Sequence, residues 1–195
     1  MFTKTEKACK QITGLFFLVM LLCNSCHKQS KESIFLAKYE FEDFSCFKEL
    51  GVFQRGTSED VRLIMIEASF ITNDSLYTGL YVVKLGTNDN RIIDAQWMTE
   101  YKNNADTLTL QQVAQSFVKY EISGLTVDGH GNVFLYLDNF EELSLARFDT
   151  DADIERMKAR YDDQRDWNKY WQMIRGNWYR YKGSKYHSFD LGHFL

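Results

Sequence analysis

The chain has 195 residues with a formal net charge of −4, and 15% of its residues are aromatic. This length is enough for one domain with a sizeable core. The mild acidity argues against a nucleic-acid partner, because phosphate binding needs a basic face.

The first segment of the chain has the pattern of an export signal. Three lysines within the first ten residues precede an apolar run at 12–22. That run is too short for a membrane-spanning helix, which needs about 20 apolar residues. The dipeptide Ser25-Cys26 follows it and resembles the lipobox of bacterial lipoproteins, in which a small residue precedes a cysteine that is lipidated. The resemblance covers residues 1–26 only. It implies a signal peptide at 1–25, a lipid on Cys26 and a polar tether at 26–33.

The same residues support two other interpretations. Cys23, Cys26 and His27 form a C-x-x-C-H string, which is typical of c-type haem attachment. Haem attachment needs both cysteines, whereas cleavage before Cys26 removes Cys23. A signal peptide without lipidation is the remaining alternative. We favour lipidation of Cys26 and expect neither a haem nor another cofactor.

The lipoprotein resemblance also implies a location. Enteric lipoproteins that stay at the inner membrane carry an Asp after the lipidated cysteine, and this chain has His27 at that position. We therefore expect a lipid-anchored protein of the cell envelope, at the outer membrane and facing the periplasm.

Residues 34–195 are expected to form one α+β domain that ends in a loose tail. Aromatic residues interspersed with charges at 34–47 predict a half-buried first strand. The segment at 51–59 is predicted to be a loop. Segment 61–71 is apolar on both alternating faces at its centre, which predicts a central strand covered on both sides. A turn is expected at 73–75.

A hairpin and a helix are predicted next. Segments 80–85 and 91–99 flank the turn-forming cluster at 86–90. Apolar residues then recur at intervals of three and four, which predicts a helix near 109–121 with a capping box at its start. The capping residues are Thr109 and Gln112, and the hairpin face consists of Tyr81, Val83 and Leu85 opposite Ile93, Ala95 and Trp97.

Three further strands and a long helix complete the predicted domain. The strands follow one another closely as an antiparallel meander, and they lie at 124–128, 133–138 and 142–148. The helix spans 151–175, with Thr150 as its cap and Gly176 at its end. The resulting fold is an antiparallel sheet of about six to seven strands covered by two helices.

Two segments suggest metal sites. Residues 149–153 place carboxylates at alternate positions, as an EF-hand loop does, but Ile154 and Arg160 occupy the positions where that loop needs Gly and Glu. We therefore assign these carboxylates to helix capping. His187, Asp190 and His193 could hold a zinc ion, but no fourth ligand is evident, and we expect a polar tail without a metal.

One set of residues suggests catalysis. Cys46, His130 and Asp128 could in principle form a thiol nucleophile, its base and an orienting carboxylate. Nothing in their spacing requires them to meet. His130 lies in a Gly-rich turn, and Cys46 lies in an aromatic run where we expect a small buried hydrophobic residue. A small periplasmic hydrolase that uses these residues, or the C-terminal histidines with a metal, is therefore the alternative function and not the favoured one.

The C-terminal part of the chain is rich in aromatic residues interleaved with basic ones. Trp178, Tyr179, Arg180 and Tyr181 follow Gly176 and are the candidate binding residues, with Tyr179 and Tyr181 as the better candidates for an exposed patch. Packing in the core or at a sheet edge is the alternative that we favour for these rings. The favoured function is a lipid-anchored, non-catalytic envelope protein that binds a protein or another envelope component, as an accessory or immunity-like protein does. The third hypothesis is a carbohydrate-binding lipoprotein, because a row of exposed rings stacks on sugar faces.

Overall fold

The computed structural model describes residues 29–72, 75–99, 106–139, 141–161 and 164–183. These residues form four α-helices, one 3₁₀-helix and a single antiparallel sheet of nine strands. The chain divides into two compact units, of which the first ends at Lys38 and the second begins at Tyr39. The second unit contains the whole sheet.

The strands are β1 (Leu50–Thr57), β2 (Val61–Thr72), β3 (Ser75–Gly86), β4 (Ile92–Trp97), β5 (Gly124–Val127), β6 (Val133–Tyr136), β7 (Leu145–Arg147), β8 (Trp171–Arg175) and β9 (Trp178–Tyr181). Their spatial order is β4-β3-β2-β1-β5-β6-β7-β9-β8, so β4 and β8 are the edges. β1 pairs antiparallel with β2 on one side and with β5 on the other. This pairing joins an N-terminal and a C-terminal set of strands into one sheet.

The helices are α1 (Lys31–Tyr39), α2 (Thr107–Val118), α3 (Asp151–Lys158) and α4 (Gln164–Tyr170), and the 3₁₀-helix spans Ser45–Phe47. α1 begins inside the segment predicted as a tether, and Ser30 Oγ accepts a hydrogen bond from the Ser33 N–H at 3.3 Å. Asp106 accepts from the Leu108 N–H at the start of α2. These side chains satisfy N–H groups that have no partner within their own helix.

α2 covers one face of the sheet. Its Gln111 donates a hydrogen bond from Nε2 to Tyr81 Oη on β3 at 3.2 Å. The residues of α2 that the three-and-four spacing identified are buried as predicted, and they are Leu110, Val113, Ala114 and Phe117. The sheet residues buried on this side include Ile64, Ile66, Tyr81, Val83 and Leu85.

The opposite face carries a buried aromatic cluster that includes residues of α3 and α4. The rings of Trp171 and Tyr179 lie 5.8 Å and 5.4 Å from the ring of Phe148, and Trp167 stacks on Trp171 at 5.2 Å. Aromatic pairs at these separations attract one another beyond the area that they bury. The cluster therefore holds the two short helices on the strands β6 to β9.

The predicted α+β class with an antiparallel sheet is confirmed, but the described residues form nine strands instead of six to seven and four α-helices instead of two. Segment 34–47, predicted as a strand, consists of the end of α1, a loop and the 3₁₀-helix. Its Phe35 and Tyr39 are four residues apart, so the aromatics fit a helical period as well as an alternating one. Segment 51–59, predicted as a loop, largely forms β1, because pairing on both sides satisfies its backbone despite two glycines.

The predicted helix at 151–175 is also wrong. It consists of two short helices, and the edge strand β8 begins at Trp171. Trp167, Trp171 and Trp178 recur at helical intervals, but the last two lie on strands. Gly176 has φ of 54° and lies in the turn between β8 and β9. A helix end and a tight turn both favour glycine, so the same residue fitted the wrong element.

The predicted hairpin and meander are confirmed with changes in detail. β3 pairs with β4, and β5, β6 and β7 pair in succession. The register between β3 and β4 shifts after Lys84, so Leu85 pairs with Ile92, and Ile93 is exposed. The cap of α2 is Asp106 and not Thr109, whose hydroxyl donates to the Asp106 carboxylate at 3.1 Å.

Candidate functional site

Asp128 has a structural role in the turn between β5 and β6. Its buried carboxylate accepts hydrogen bonds from the backbone N–H groups of His130 and Asn132, each at 2.9 Å, and from Asn132 Nδ2 at 2.8 Å. Asp128 thus contacts His130 through the backbone and not through the imidazole ring. Three hydrogen bonds to one buried carboxylate stabilise the turn, as the Gly-rich sequence around His130 suggested.

Cys46 lacks the features of an activated thiol. It lies in the 3₁₀-helix and is exposed, so the expectation of a small buried hydrophobic residue is wrong. Desolvation by neighbouring groups raises the pKa of its thiol. A nucleophilic cysteine needs a lowered pKa, because the thiolate is the reactive form. The surroundings of Cys46 therefore disfavour the thiolate that a hydrolase would require.

One of the carboxylates at 149–153, that of Asp153, forms a capping box with Thr150, the N-cap of α3. Asp153 accepts hydrogen bonds from the Thr150 N–H at 3.2 Å and from Thr150 Oγ1 at 2.5 Å, and it pairs with Arg156 at 2.8 Å. Desolvation alone would raise the pKa of Asp153, but the Thr150 bonds and the Arg156 charge outweigh it, and the pKa is lowered. In the described ranges, no group of three or more His, Cys, Asp or Glu side chains is placed to hold a metal ion.

Several predicted features lie outside the described residues. They are the signal peptide at 1–25, the lipidation site Cys26, the haem-like string with Cys23 and His27, and the C-terminal tail with His187 and His193. Of the helices that the structure does describe, none is long and apolar enough to cross a bilayer.

The predicted binding residues on β9 are mostly buried. Trp178 is 1% exposed and Tyr179 is 7% exposed, whereas Arg180 and Tyr181 are half-buried. The ring of Tyr179 lies 5.8 Å from that of Trp167 within the aromatic cluster. Tyr179 therefore packs in the core, as the favoured interpretation has it, and does not form an exposed patch, because the face of β9 that carries it lies against the aromatic cluster.

A different segment of the second unit presents an open aromatic side chain. Residues 39–44, which we call the Phe41 loop, connect the end of α1 to the 3₁₀-helix. Phe41 is 92% exposed, although such a ring is usually at least partly buried. Its neighbours in the loop make hydrogen bonds and ion pairs to two different parts of the domain. These contacts determine where Phe41 is displayed.

The first set of contacts fixes the Phe41 loop to the sheet. Glu40 pairs with Arg175 at 2.6 Å, and its backbone carbonyl accepts a hydrogen bond from Trp178 Nε1 at 3.2 Å. The Glu42 carbonyl accepts from Arg147 Nη1 at 2.8 Å. The residues before and after Phe41 are therefore both held by strands at one end of the sheet.

Arg147 also holds the loop through its guanidinium plane. The guanidinium lies 5.1 Å from the ring centre of Phe44 and 5.7 Å from that of Trp178, so it has an aromatic ring of the loop and one of β9 as neighbours. Half-burial of the cation lowers the pKa of Arg147. Cation–π contacts and the hydrogen bond to Glu42 compensate the cost of that burial.

The second set of contacts fixes the loop to the segment after α2. Tyr39 Oη donates to the Lys119 carbonyl at 2.8 Å. Lys119 Nζ pairs with Glu42 at 2.5 Å, and Tyr120 Oη donates to the same carboxylate at 3.2 Å. The Lys119 hydrogen bond is the main cause of a lowered pKa at Glu42. The rings of Phe44 and Tyr120 lie 5.3 Å apart beneath this polar layer.

One face of strand β2 is only partly covered and carries an ionisable side chain. The prediction that this strand is covered on both sides is wrong, because Leu63, Met65 and Glu67 are only partly buried. Burial raises the pKa of Glu67, and the charge of Arg55 opposes that shift. A partly buried carboxylate among apolar side chains lowers stability when it is ionised.

The Phe41 loop is the feature best suited to recognition. It combines an exposed apolar ring with a backbone that hydrogen bonds hold on both sides, which is the arrangement of a preorganised binding anchor. The sequence prediction missed it because the aromatic and acidic residues at 39–44 were interpreted as a strand. Comparisons with protein-family models, with curated proteins and with solved structures find no match to this chain.

Proposed function

We propose that this chain is a lipid-anchored, non-catalytic protein of the cell envelope that binds a protein partner through the Phe41 loop. In this proposal Cys26 carries the lipid and the domain faces the periplasm at the outer membrane, where it acts as an accessory or immunity-like protein. The observation that carries the proposal is the 92% exposure of Phe41 on a loop held from both sides.

The physical argument concerns the energetics of binding. Protein interfaces draw much of their free energy from a few large side chains that enter partner pockets. Association also loses free energy when flexible loops become ordered. Because the Phe41 loop is already held in place, less ordering is required when Phe41 is buried by a partner. A ring shown on a fixed loop therefore favours a binding role for this surface.

The anchor is tested on the protein purified from membranes. Intact-mass measurement of the wild-type chain should give a mature protein that begins at Cys26 and carries acyl chains. The Cys26→Ala variant should lack that mass and should leave the membrane fraction. An uncut N-terminus in the wild type, or a haem absorbance band in the purified protein, would refute the assigned location.

The binding role is tested separately, by affinity capture from membranes with the native anchor intact. We expect a stoichiometric protein partner that is lost with Phe41→Ala and retained with Leu108→Ala. Leu108 is a suitable control because it is 59% exposed and lies in the first turn of α2, away from the Phe41 loop in sequence. Absence of any partner in mild detergent would contradict the proposal.

A further inference from the structure

We infer that the partner of the Phe41 loop is a protein with an apolar pocket for one aromatic ring, and that hydrogen-bond acceptors at the pocket rim face Arg175 and Lys119. The inference rests on the proposed function, because it concerns the chemistry of the same site. It goes further in that it specifies what surrounds Phe41 in the complex and excludes a lipid surface as the occupant.

The apolar pocket follows from the way Phe41 is held. The flanking carbonyls of Glu40 and Glu42 accept hydrogen bonds from Trp178 and Arg147, so the backbone on both sides of the ring is fixed. A ring with a fixed position can fit closely into a protein pocket of complementary shape, as anchor side chains do at protein interfaces. A fluid lipid interface adapts to any ring orientation and does not require this arrangement.

The charges around the ring argue against an anionic membrane. The carboxylates on the loop are those of Glu40, Glu42 and Asp43, and the cations that contact the loop are Arg175, Lys119 and Arg147. The two sets balance, so the loop has no net positive charge to attract anionic lipid headgroups. A single exposed ring also offers much less apolar area than the face of an interfacial helix.

The cations of these ion pairs indicate which groups lie at the rim of the partner's pocket. Arg175 and Lys119 are more exposed than the carboxylates that they contact. A guanidinium has five N–H donors and an ammonium has three, so each cation can donate to a partner while it keeps its contact with the loop. Carboxylates or backbone carbonyls of the partner, placed beside the pocket, would accept these bonds.

A photo-crosslinking experiment in the native membrane tests the inference. Phe41 is replaced in the full-length anchored chain by the photoreactive analogue p-benzoylphenylalanine, and a matched chain carries the analogue at Leu108. After irradiation, adducts are identified by mass spectrometry as protein or lipid. The purified protein is tested in parallel for flotation with vesicles of phosphatidylglycerol and phosphatidylethanolamine.

The expected result is a protein adduct at position 41 but not at position 108. The crosslinked site should be lined by apolar residues and bordered by carboxylates or free carbonyls. Affinity for the identified partner should fall at least about 30-fold with Phe41→Ala and less with Phe41→Leu, which keeps an apolar side chain. Flotation with vesicles should not change with Phe41→Ala.

Other outcomes overturn the inference. Lipid adducts at position 41, or vesicle flotation that depends on Phe41, would assign the ring to the membrane. Equal protein adducts at both positions would show non-specific proximity. Stoichiometric capture without an adduct at position 41 would refute both the pocket and the role of the Phe41 loop, and would leave only the broader proposal of an anchored binding protein, with its interface on another surface. Failure of both capture and crosslinking would refute the pocket and the proposed function together.

Discussion

Replacement of Arg147 by Met should lower the free energy of unfolding by about 2–3 kcal/mol. The substitution removes the hydrogen bond to the Glu42 carbonyl and the cation–π contacts with Phe44 and Trp178. A hydrogen bond from a charged donor contributes about 1.5–3 kcal/mol, and each cation–π contact contributes about 0.5–1 kcal/mol. Relief of the half-buried charge offsets part of this loss, and Met keeps the apolar packing of the stem.

The measurement is urea unfolding at pH 7, with Arg91→Met as the matched control. Arg91 is an exposed residue that follows β3, and its ion pair with Asp89 has a distance of 3.8 Å. Its replacement should change the free energy of unfolding by less than about 0.5 kcal/mol. Both variants should keep the wild-type denaturant slope, so that the midpoints can be compared. If Arg147→Met is no more destabilising than Arg91→Met, the contacts of Arg147 with the Phe41 loop do not contribute measurably to the free energy of unfolding.

Three further predictions concern the turn, the half-exposed carboxylate and the close approach of strands. Asp128→Ala should cost about 2–4 kcal/mol because three donors, two of them buried, lose their acceptor. His130→Ala should cost under about 0.5 kcal/mol, and similar losses for the two variants would contradict the turn role. Burial raises the pKa of Glu67 in the folded protein above its ordinary value of 4.5. The folded protein is therefore more stable in acid, where Glu67 is protonated, and it loses this stability as the pH rises through the folded pKa. Glu67→Gln should therefore stabilise the protein at pH 7 and not at pH 3, and an equal gain in both urea titrations would exclude this cause. A Cβ on Gly124 would lie 2.7 Å from the ring of Phe53, while a Cβ on Gly56 would meet nothing within 4 Å. We therefore expect thermal melts to show a loss of about 1–3 kcal/mol in the free energy of unfolding for Gly124→Ala and no such loss for Gly56→Ala.

The elements that were predicted correctly are those whose sequence pattern reflects their local environment. The hairpin of β3 and β4 combines apolar alternation with a turn cluster, and α2 carries an apolar stripe that faces the sheet. Thr150 was correctly predicted as the cap of a helix, from residues within one helical turn. In each case neighbours in the sequence determine the structure, so no distant contact is needed to predict it.

The elements that were missed depend on distant contacts. β1 contains two glycines and is a strand because β2 and β5 pair with it on both sides. Trp171 has the spacing of a helical residue but begins β8, which pairs with β9. The exposure of Phe41 likewise results from contacts with Lys119, Arg147 and Arg175, all far along the chain. A single sequence does not show which distant residues will meet, so the loop could not be recognised as a site.

The pairing of β1 with β5 has a consequence for how the sheet assembles. β1 to β4 are connected by short hairpins, and so are β5 to β7, whereas the seam between the two groups joins strands separated by the whole of residues 58–123. Closing so long a segment loses more chain entropy than closing any of the hairpins. We therefore expect the two ribbons to form independently and early, and the step that unites them into one sheet to be the slower one. That step also brings the start of β1, and with it the 3₁₀-helix, beside the second ribbon.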